Sequence, residues 1–229
     1  MGEHNFIDTI PLFSTLPKDI RKQLTPIILT KQTTKGEVIF RESERANAIF
    51  FINVGKIKIT KSSPEGKEIL LNIRQSGEMF AEVSLFSRKK STYPATATSL
   101  ENGVISLIRN EDLELFLMQH PELSMSIFRV MAERLQVAQT TLRDVALYGK
   151  FGALAATLVR LSTDYGVDTN EGIMIKLKLT HEDLGSFFGA TRESVTRMMN
   201  QLKQQEVVTK KSGYFVIHKL EELKSYLDR

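Results

Sequence analysis

The hydrophobic period of this chain changes near residue 110, and that change decides its class. From about residue 31 to 108, β-branched and aromatic residues fall in short runs roughly ten residues apart, separated by turn residues. The runs cover 37–41, 48–54, 56–61, 68–73, 95–99 and 103–108, with Gly36, Gly55, Gly66, Gly77 and Gly103 marking turns between them. After Asn110 the apolar spacing becomes helical. Asn110 is placed to cap a helix whose first turn carries Glu111 and Asp112, and which ends near His120 and Pro121. Strands first and helices afterwards make an α+β chain, opening with a small barrel or roll. Its 229 residues suit two modest domains, and 41% hydrophobic against 25% charged residues suffices for buried cores.

A long helix is expected after Pro121. Its apolar positions Leu123, Ile127, Met131, Leu135, Ala138, Leu142 and Val145 are spaced 4, 4, 4, 3, 4 and 3, close to the coiled-coil repeat. Glu133, Arg134, Arg143 and Asp144 fall off the stripe. Such a stripe packs on the chain's own β region or meets a second copy, and its length favours a second copy over part of its course. Tyr148, Gly149 and Lys150 interrupt the pattern as a hinge, before a further helix over about 151–165. A turn-rich connection over 166–172 leads to an alternating strand over 173–179.

Residues 179–205 carry the most specific signal. Thr180 with Asp183 forms a capping-box pattern, Gly185 is small where a second helix must cross, Gly189 can end the first helix, and Thr191 caps the next. Leu184, Phe188, Val195, Met198 and Leu202 fall where two steeply crossed helices share a core, which is a helix-turn-helix. With Val195, Met198, Met199 and Leu202 inward, Arg192, Glu193, Thr196, Arg197 and Asn200 share the outer face. Arg offers two donors to guanine, Glu accepts from cytosine, and Thr touches a thymine methyl. The plainer alternative is a solvated face holding a Glu193–Arg197 pair, worth about 0.2–0.5 kcal/mol. A hairpin wing follows over 207–218, where Lys210 and Lys211 are candidate phosphate contacts.

Overall charge says less. The chain has 31 Lys and Arg against 27 Asp and Glu, net +4. Within 192–219, Arg192, Arg197, Lys203, Lys210, Lys211 and Lys219 face only Glu193 and Glu206, an excess that suits phosphates or a solvated surface equally. With no cysteine, disulfides, thiolate zinc sites and cysteine-held iron–sulfur clusters are excluded. His4, His120, His181 and His218 are scattered one per region, as surface or capping residues rather than metal ligands. His181-Glu182 lacks the second histidine of a zinc-protease motif, and no Walker loop, nucleophile elbow or carboxylate pair stands out, so no enzyme and no cofactor are expected. No apolar run approaches the roughly 18 residues of a membrane helix. Met1 to Phe6 has neither a basic nor an apolar signal region, so a cytoplasmic location is expected.

Nearly the whole chain resembles the cyclic-AMP receptor protein/Fnr (Crp/Fnr) superfamily of transcription regulators. The carrying residues are Gly36, Gly55 and the Ala-Glu-Val-Ser-Leu-Phe stretch at 81–86, Arg-Leu-Gln-Val at 134–137, and Thr-Arg-Glu-Ser-Val-Thr-Arg at 191–197. Similarity is greatest to the Fnr-like branch of Gram-positive bacteria, through Tyr148-Gly-Lys-Phe-Gly-Ala-Leu and Arg160-Leu-Ser. The resemblance implies an N-terminal double-stranded β-helix over 1–120, a long dimerisation helix over 121–147, and a C-terminal winged helix-turn-helix over 148–229. It also implies a homodimer on double-stranded DNA, with Thr180, Thr191, Arg192, Glu193, Thr196, Arg197, Asn200, Lys210 and Lys211 at the DNA. Ile127, Met131, Leu135, Ala138, Leu142 and Val145 would form the dimer interface. The expected site is a palindrome of TGTGA-like half-sites about six base pairs apart. RNA polymerase would be a partner if the protein activates.

The sensor half departs from the pattern of cyclic-nucleotide binders. Glu82 is kept, but Ala81 replaces a glycine and Ser91-Thr92 stand where an Arg-Ser pair should clamp phosphate. A buried phosphate without its counter-charge is costly. Arg88, Lys89 and Lys90 either substitute or form a solvated loop, and Ala138 and Gln139 replace the polar residues that meet the base. Glu82, Ser91, Thr92, Ala138 and Gln139 therefore outline an effector pocket for which cyclic AMP is a poor occupant, and the effector, if any, stays open. Three classes compete: a dimeric DNA-binding regulator, a cyclic-nucleotide module whose helical tail contacts protein, and a small-molecule hydrolase using Glu82. The first accounts for the recognition helix.

Overall fold

A computed structural model describes residues 7, 10–14, 16–62, 68–86 and 91–227. Two compact units divide the chain, Met1–Ala132 and Glu133–Arg229. The division falls inside the long helix, whose beginning belongs to the first unit.

Strand β3 (Ala48–Val54) explains the first unit. Six consecutive buried residues, 48–53, mean that both faces of this strand are covered. Ala48, Phe50 and Ile52 face a core with Phe40, Phe80, Tyr93 and Ile105, while Ile49 and Phe51 face another with Phe13, Leu24, Leu113 and Leu123. The first core lies between two four-stranded antiparallel sheets. One has the order β1 (Ile28–Thr33), β8 (Gly103–Arg109), β3, β6 (Met79–Phe80); the other β2 (Val38–Phe40), β7 (Thr96–Ser99), β4 (Lys56–Ser62), β5 (Glu68–Gln75). The second core is covered by α1 (Pro11–Ser14), α2 (Lys18–Leu24), α3 (Val83–Phe86), α4 (Asn110–Gln119) and the start of α5 (Pro121–Tyr165). This is the expected roll. Strand β1 extends further than its sequence signals, because its residues 29–32 are exposed and lack a buried alternation. It is held by pairing with β8, Ile28 opposite Ile108 through Thr33 opposite Gly103.

Asn110 is not the cap it was expected to be. It is the first residue of α4, and no side chain caps that helix. Its amide Nδ2 instead donates to the carbonyls of Ala46 and Ser84, fastening the helix start to the roll.

In the second unit, the expected hinge is a sharp break. Gly149 has φ 62° and ψ −168° inside α5, outside helical geometry. The chain folds back there, and Arg160 Nη1 donates to Thr141 Oγ1 at 3.0 Å. Burial lowers the Arg160 pKa, opposed by the carboxylates of Asp164 and Asp144. The helix includes one stretch of 18 residues long and apolar enough, by composition, to cross a bilayer, contrary to expectation, and 44% of that stretch is buried within the protein. A four-stranded antiparallel sheet follows, ordered β11 (Val208–Lys211), β12 (Tyr214–Ile217), β10 (Gly172–Lys178), β9 (Gly166–Thr169). Residues 166–169, expected as connection, become a strand because β10 supplies a pairing edge from Gly172 to Ile175. Helices α6 (His181–Ser186) and α7 (Arg192–Gln204) pack beside it, and α8 (Leu220–Lys224) ends the fold.

Candidate nucleic-acid interface

The two helices of the 179–205 segment form as their end residues dictate. Thr180 Oγ1 accepts from the Asp183 backbone N–H at 3.0 Å, and Asp183 Oδ2 accepts from the Thr180 N–H at 2.7 Å, a complete capping box. Thr191 Oγ1 accepts from the Ser194 N–H at 3.3 Å and starts α7. Between them Gly189 takes φ +70°, the left-handed turn that redirects the chain. Gly185 is required sterically. A Cβ there would lie 2.3 Å from the Ala190 carbonyl oxygen and 3.3 Å from Val195 Cγ2. Leu184, Val195, Met199 and Leu202 are buried, with Met198 half-buried, so α7 is fixed along its inner face.

The outer face carries the expected residues together. Arg192, Glu193, Arg197 and Asn200 are exposed and Thr196 is half-buried. The Thr196 hydroxyl lies 2.8 Å from the Arg192 carbonyl and 2.8 Å from His181 Nδ1. His181 was expected to be a surface or capping residue; it bridges the two helices instead. Burial first, then the charges of Lys210 and Arg192, push its pKa below the ordinary histidine value. Sequence spacing gives no hint of this contact, because the two residues lie on different helices.

The wing lysines, expected at the DNA backbone, are exposed and also make contacts within the protein. Lys210 Nζ donates to the Leu179 carbonyl at 2.7 Å and sits 4.7 Å from the centre of the Phe215 ring. Lys211 pairs with Glu171, and Lys219 with Glu222 and the Gln205 carbonyl. Three of the six basic residues at 192–219 thus also bond within the protein, while all six are exposed. Lys176 and Lys178 of β10, unforeseen, are exposed and stand 5.7 and 5.4 Å from the Tyr214 ring centre.

The long-helix stripe also divides. Ile127 is fully buried with Phe13, Leu113 and Leu123, so it holds the first unit together and has no surface for a second copy. Met131 is half-buried against the same core. Leu135 and Leu142 are 60% and 72% exposed, Ala138 is exposed, and Val145 is half-buried. Phe128, 49% exposed, joins them. The sequence Phe128, Met131, Leu135, Ala138, Leu142, Val145 repeats at 3, 4, 3, 4 and 3, an unbroken heptad seam. Two apolar rows cross at Met131: Leu123 and Ile127 belong to the buried one, and Phe128 to the exposed one.

The candidate effector residues do not share one unit. Glu82, Ser91 and Thr92 belong to the first; Ala138 and Gln139, both exposed, belong to the second. Ala81 has φ +64°, the left-handed conformation that its expected glycine would adopt without strain. Tyr93, next to Thr92, fills the roll: its ring stacks on Phe40 at 3.8 Å, and burial raises its pKa. His4 and Arg88, Lys89 and Lys90 lie outside the described residues.

The comparisons agree with this arrangement. The family model for the cyclic nucleotide-binding domain matches residues 30–120, and that for the Crp-like helix-turn-helix domain matches 152–226. The chain is 34% identical over 226 residues to the anaerobic regulatory protein of Bacillus subtilis, covering 98% of this chain and 94% of that one. It is 31% identical over 180 residues to a CRP-like cAMP-activated global transcriptional regulator of Mycobacterium tuberculosis, covering 79% of this chain and 78% of that protein. Among solved structures, a CooA mutant from Carboxydothermus hydrogenoformans matches with TM-score 0.73 at 19% identity, covering 90% of each chain. FixK2 from Bradyrhizobium japonicum matches with TM-score 0.70 at 18% identity, over 87% of this chain and 97% of that one. Roll, long helix and helix-turn-helix define a transcription regulator of modular build. The chain belongs to the Crp/Fnr superfamily, and its C-terminal unit is a DNA-binding domain of that family.

Proposed function

We propose that the protein is a homodimeric, sequence-specific regulator that binds a palindrome of TGTGA-like half-sites about six base pairs apart. The observation that carries this reading is α7: Arg192, Glu193, Arg197 and Asn200 stand exposed on a helix fixed by its Thr191 cap, its buried inner face and the Gly185 crossing. Arginine and glutamate at that spacing match guanine and cytosine edges in the major groove. The heptad seam from Phe128 to Val145 supplies the dimer contact, because two or more exposed leucines in register with a self-partner bury apolar surface from water. Acting on DNA, the protein works where the chromosome is held, and an activating role would bring RNA polymerase as a partner.

Cyclic AMP does not fit the roll. The activation named for the mycobacterial relative depends on a nucleotide phosphate, and here Ser91 and Thr92 offer that phosphate no charge. An uncharged or differently charged effector, or none, suits this half better, and no catalytic role is assigned.

The test is selection of bound duplexes from a random pool, with and without millimolar cyclic AMP. Enrichment of one palindrome, unchanged by the nucleotide, is the expected result. Enrichment that needs cyclic AMP would overturn the reading of the roll; no enrichment under either condition would overturn the reading of α7.

A further inference from the structure

We propose that His181 is a positioning residue for base recognition, one that makes Thr196 read a thymine methyl; the inference rests on the DNA reading above. A threonine on a helix face has two ways to meet a base, through its hydroxyl or through its methyl. In helices its side chain splits between two rotamers. Here the choice is made by the protein. His181 begins α6 directly after the Thr180 cap, and its ring lies nearly parallel to Phe215, centroids 6.1 Å apart at 21°. From that position Nδ1 meets the Thr196 hydroxyl at 2.8 Å. The same hydroxyl lies 2.8 Å from the Arg192 carbonyl, which can only accept, so the hydroxyl proton goes there. Nδ1 must then carry the hydrogen and donate to Thr196 Oγ1. Burial and the cations Lys210 and Arg192 favour the neutral ring, consistent with a single N–H at Nδ1.

With its proton given to one partner and one of its two lone pairs to another, the hydroxyl can no longer donate to a base and is held in place by the protein. The apolar group that Thr196 then offers DNA is its Cγ2 methyl. A methyl cannot discriminate by hydrogen bonding; it discriminates by apolar contact, and the thymine C5 methyl is the apolar group the major groove presents. His181 thus determines what kind of reader Thr196 is without itself touching a base.

The test uses the full-length protein and its selected palindrome, replacing each thymine in turn by deoxyuracil, which lacks only the methyl. In the wild type, one replacement per half-site lowers affinity about fourfold, the value of one buried methyl. Thr196→Val, which keeps a methyl and has no hydroxyl to hold, retains the thymine preference. His181→Ala brings it below about twofold, His181→Asn restores it through an amide at the same place, and His181→Ala in the Thr196→Val background removes nothing further. A merely structural histidine would weaken all duplexes alike and leave the thymine-to-uracil ratio unchanged, which would overturn the proposal. So would a wild type that responds to uracil at no position. Absence of any preferred duplex would instead overturn the DNA reading on which it rests.

Discussion

Two positions with demanding backbones show how differently the two units treat the family pattern. Residue 185 in the winged-helix unit is glycine, where a Cβ would stand 2.3 Å from a carbonyl oxygen. Residue 81 in the roll keeps the left-handed conformation, φ +64°, but carries alanine. The DNA-binding unit has the caps, the crossing glycine and the exposed α7 side chains that its sequence announces. The roll pairs its sheets in register around Phe40, Phe50 and Phe80, and Glu82 is kept, while Ala81 and Ser91-Thr92 stand where the family resemblance implies a glycine and an Arg-Ser pair.

That contrast can be sharpened by substitution. The largest effect is expected on the exposed leucines of the heptad seam. Leu135→Asp with Leu142→Asp, both exposed in the single chain, leaves each subunit folded but removes four leucines from a dimer and weakens association by about 4 kcal/mol or more. Sedimentation velocity should show monomers at micromolar concentration. In the DNA-binding unit, Arg197→Ala should cost about 1–3 kcal/mol on the preferred duplex and relax one base position per half-site. Lys210→Ala should behave otherwise, because its ammonium is tied to the Leu179 carbonyl and the Phe215 ring. It should lower the thermal stability of the second unit by about 1 kcal/mol while changing the salt slope of binding by less than about one half. The smallest effect belongs to the roll. Ala81→Gly relieves a left-handed alanine worth about 1–2 kcal/mol, offset in part by the extra freedom of glycine in the unfolded chain, about 0.4–1 kcal/mol. Denaturant unfolding should show a net gain of about 0.5 kcal/mol, and a loss would mean that the alanine methyl packs usefully.

How much was legible in the sequence follows the same divide. The capping box at Thr180, the cap at Thr191 and the crossing at Gly185 are local or short-range, and the structure has all three. The hinge was legible because one glycine interrupts a regular stripe, and Gly149 takes the non-helical conformation. What spacing could not reveal was tertiary. Ile127 lies on the apolar stripe, yet it is buried by the chain's own Phe13 and Leu113, so periodicity identified an apolar row without saying what covers it. Lys210 reads as a free cation until the Leu179 carbonyl, 31 residues away, is brought beside it. Asn110 looks like a cap because it precedes acidic residues, but the carbonyls of Ala46 and of Ser84 in α3 claim its amide. Strand β9 has weak strand residues and exists because β10 offers it an edge.

In the proposed complex, two copies of α7 enter one face of the double helix together. The most direct test is binding to the selected palindrome and to the same sequence with about five base pairs inserted at its centre, half a helical turn. The account predicts that the insertion places the second half-site on the opposite face and lowers affinity at least about a hundredfold, to the level of a single half-site. Equal affinity for the two duplexes would contradict it.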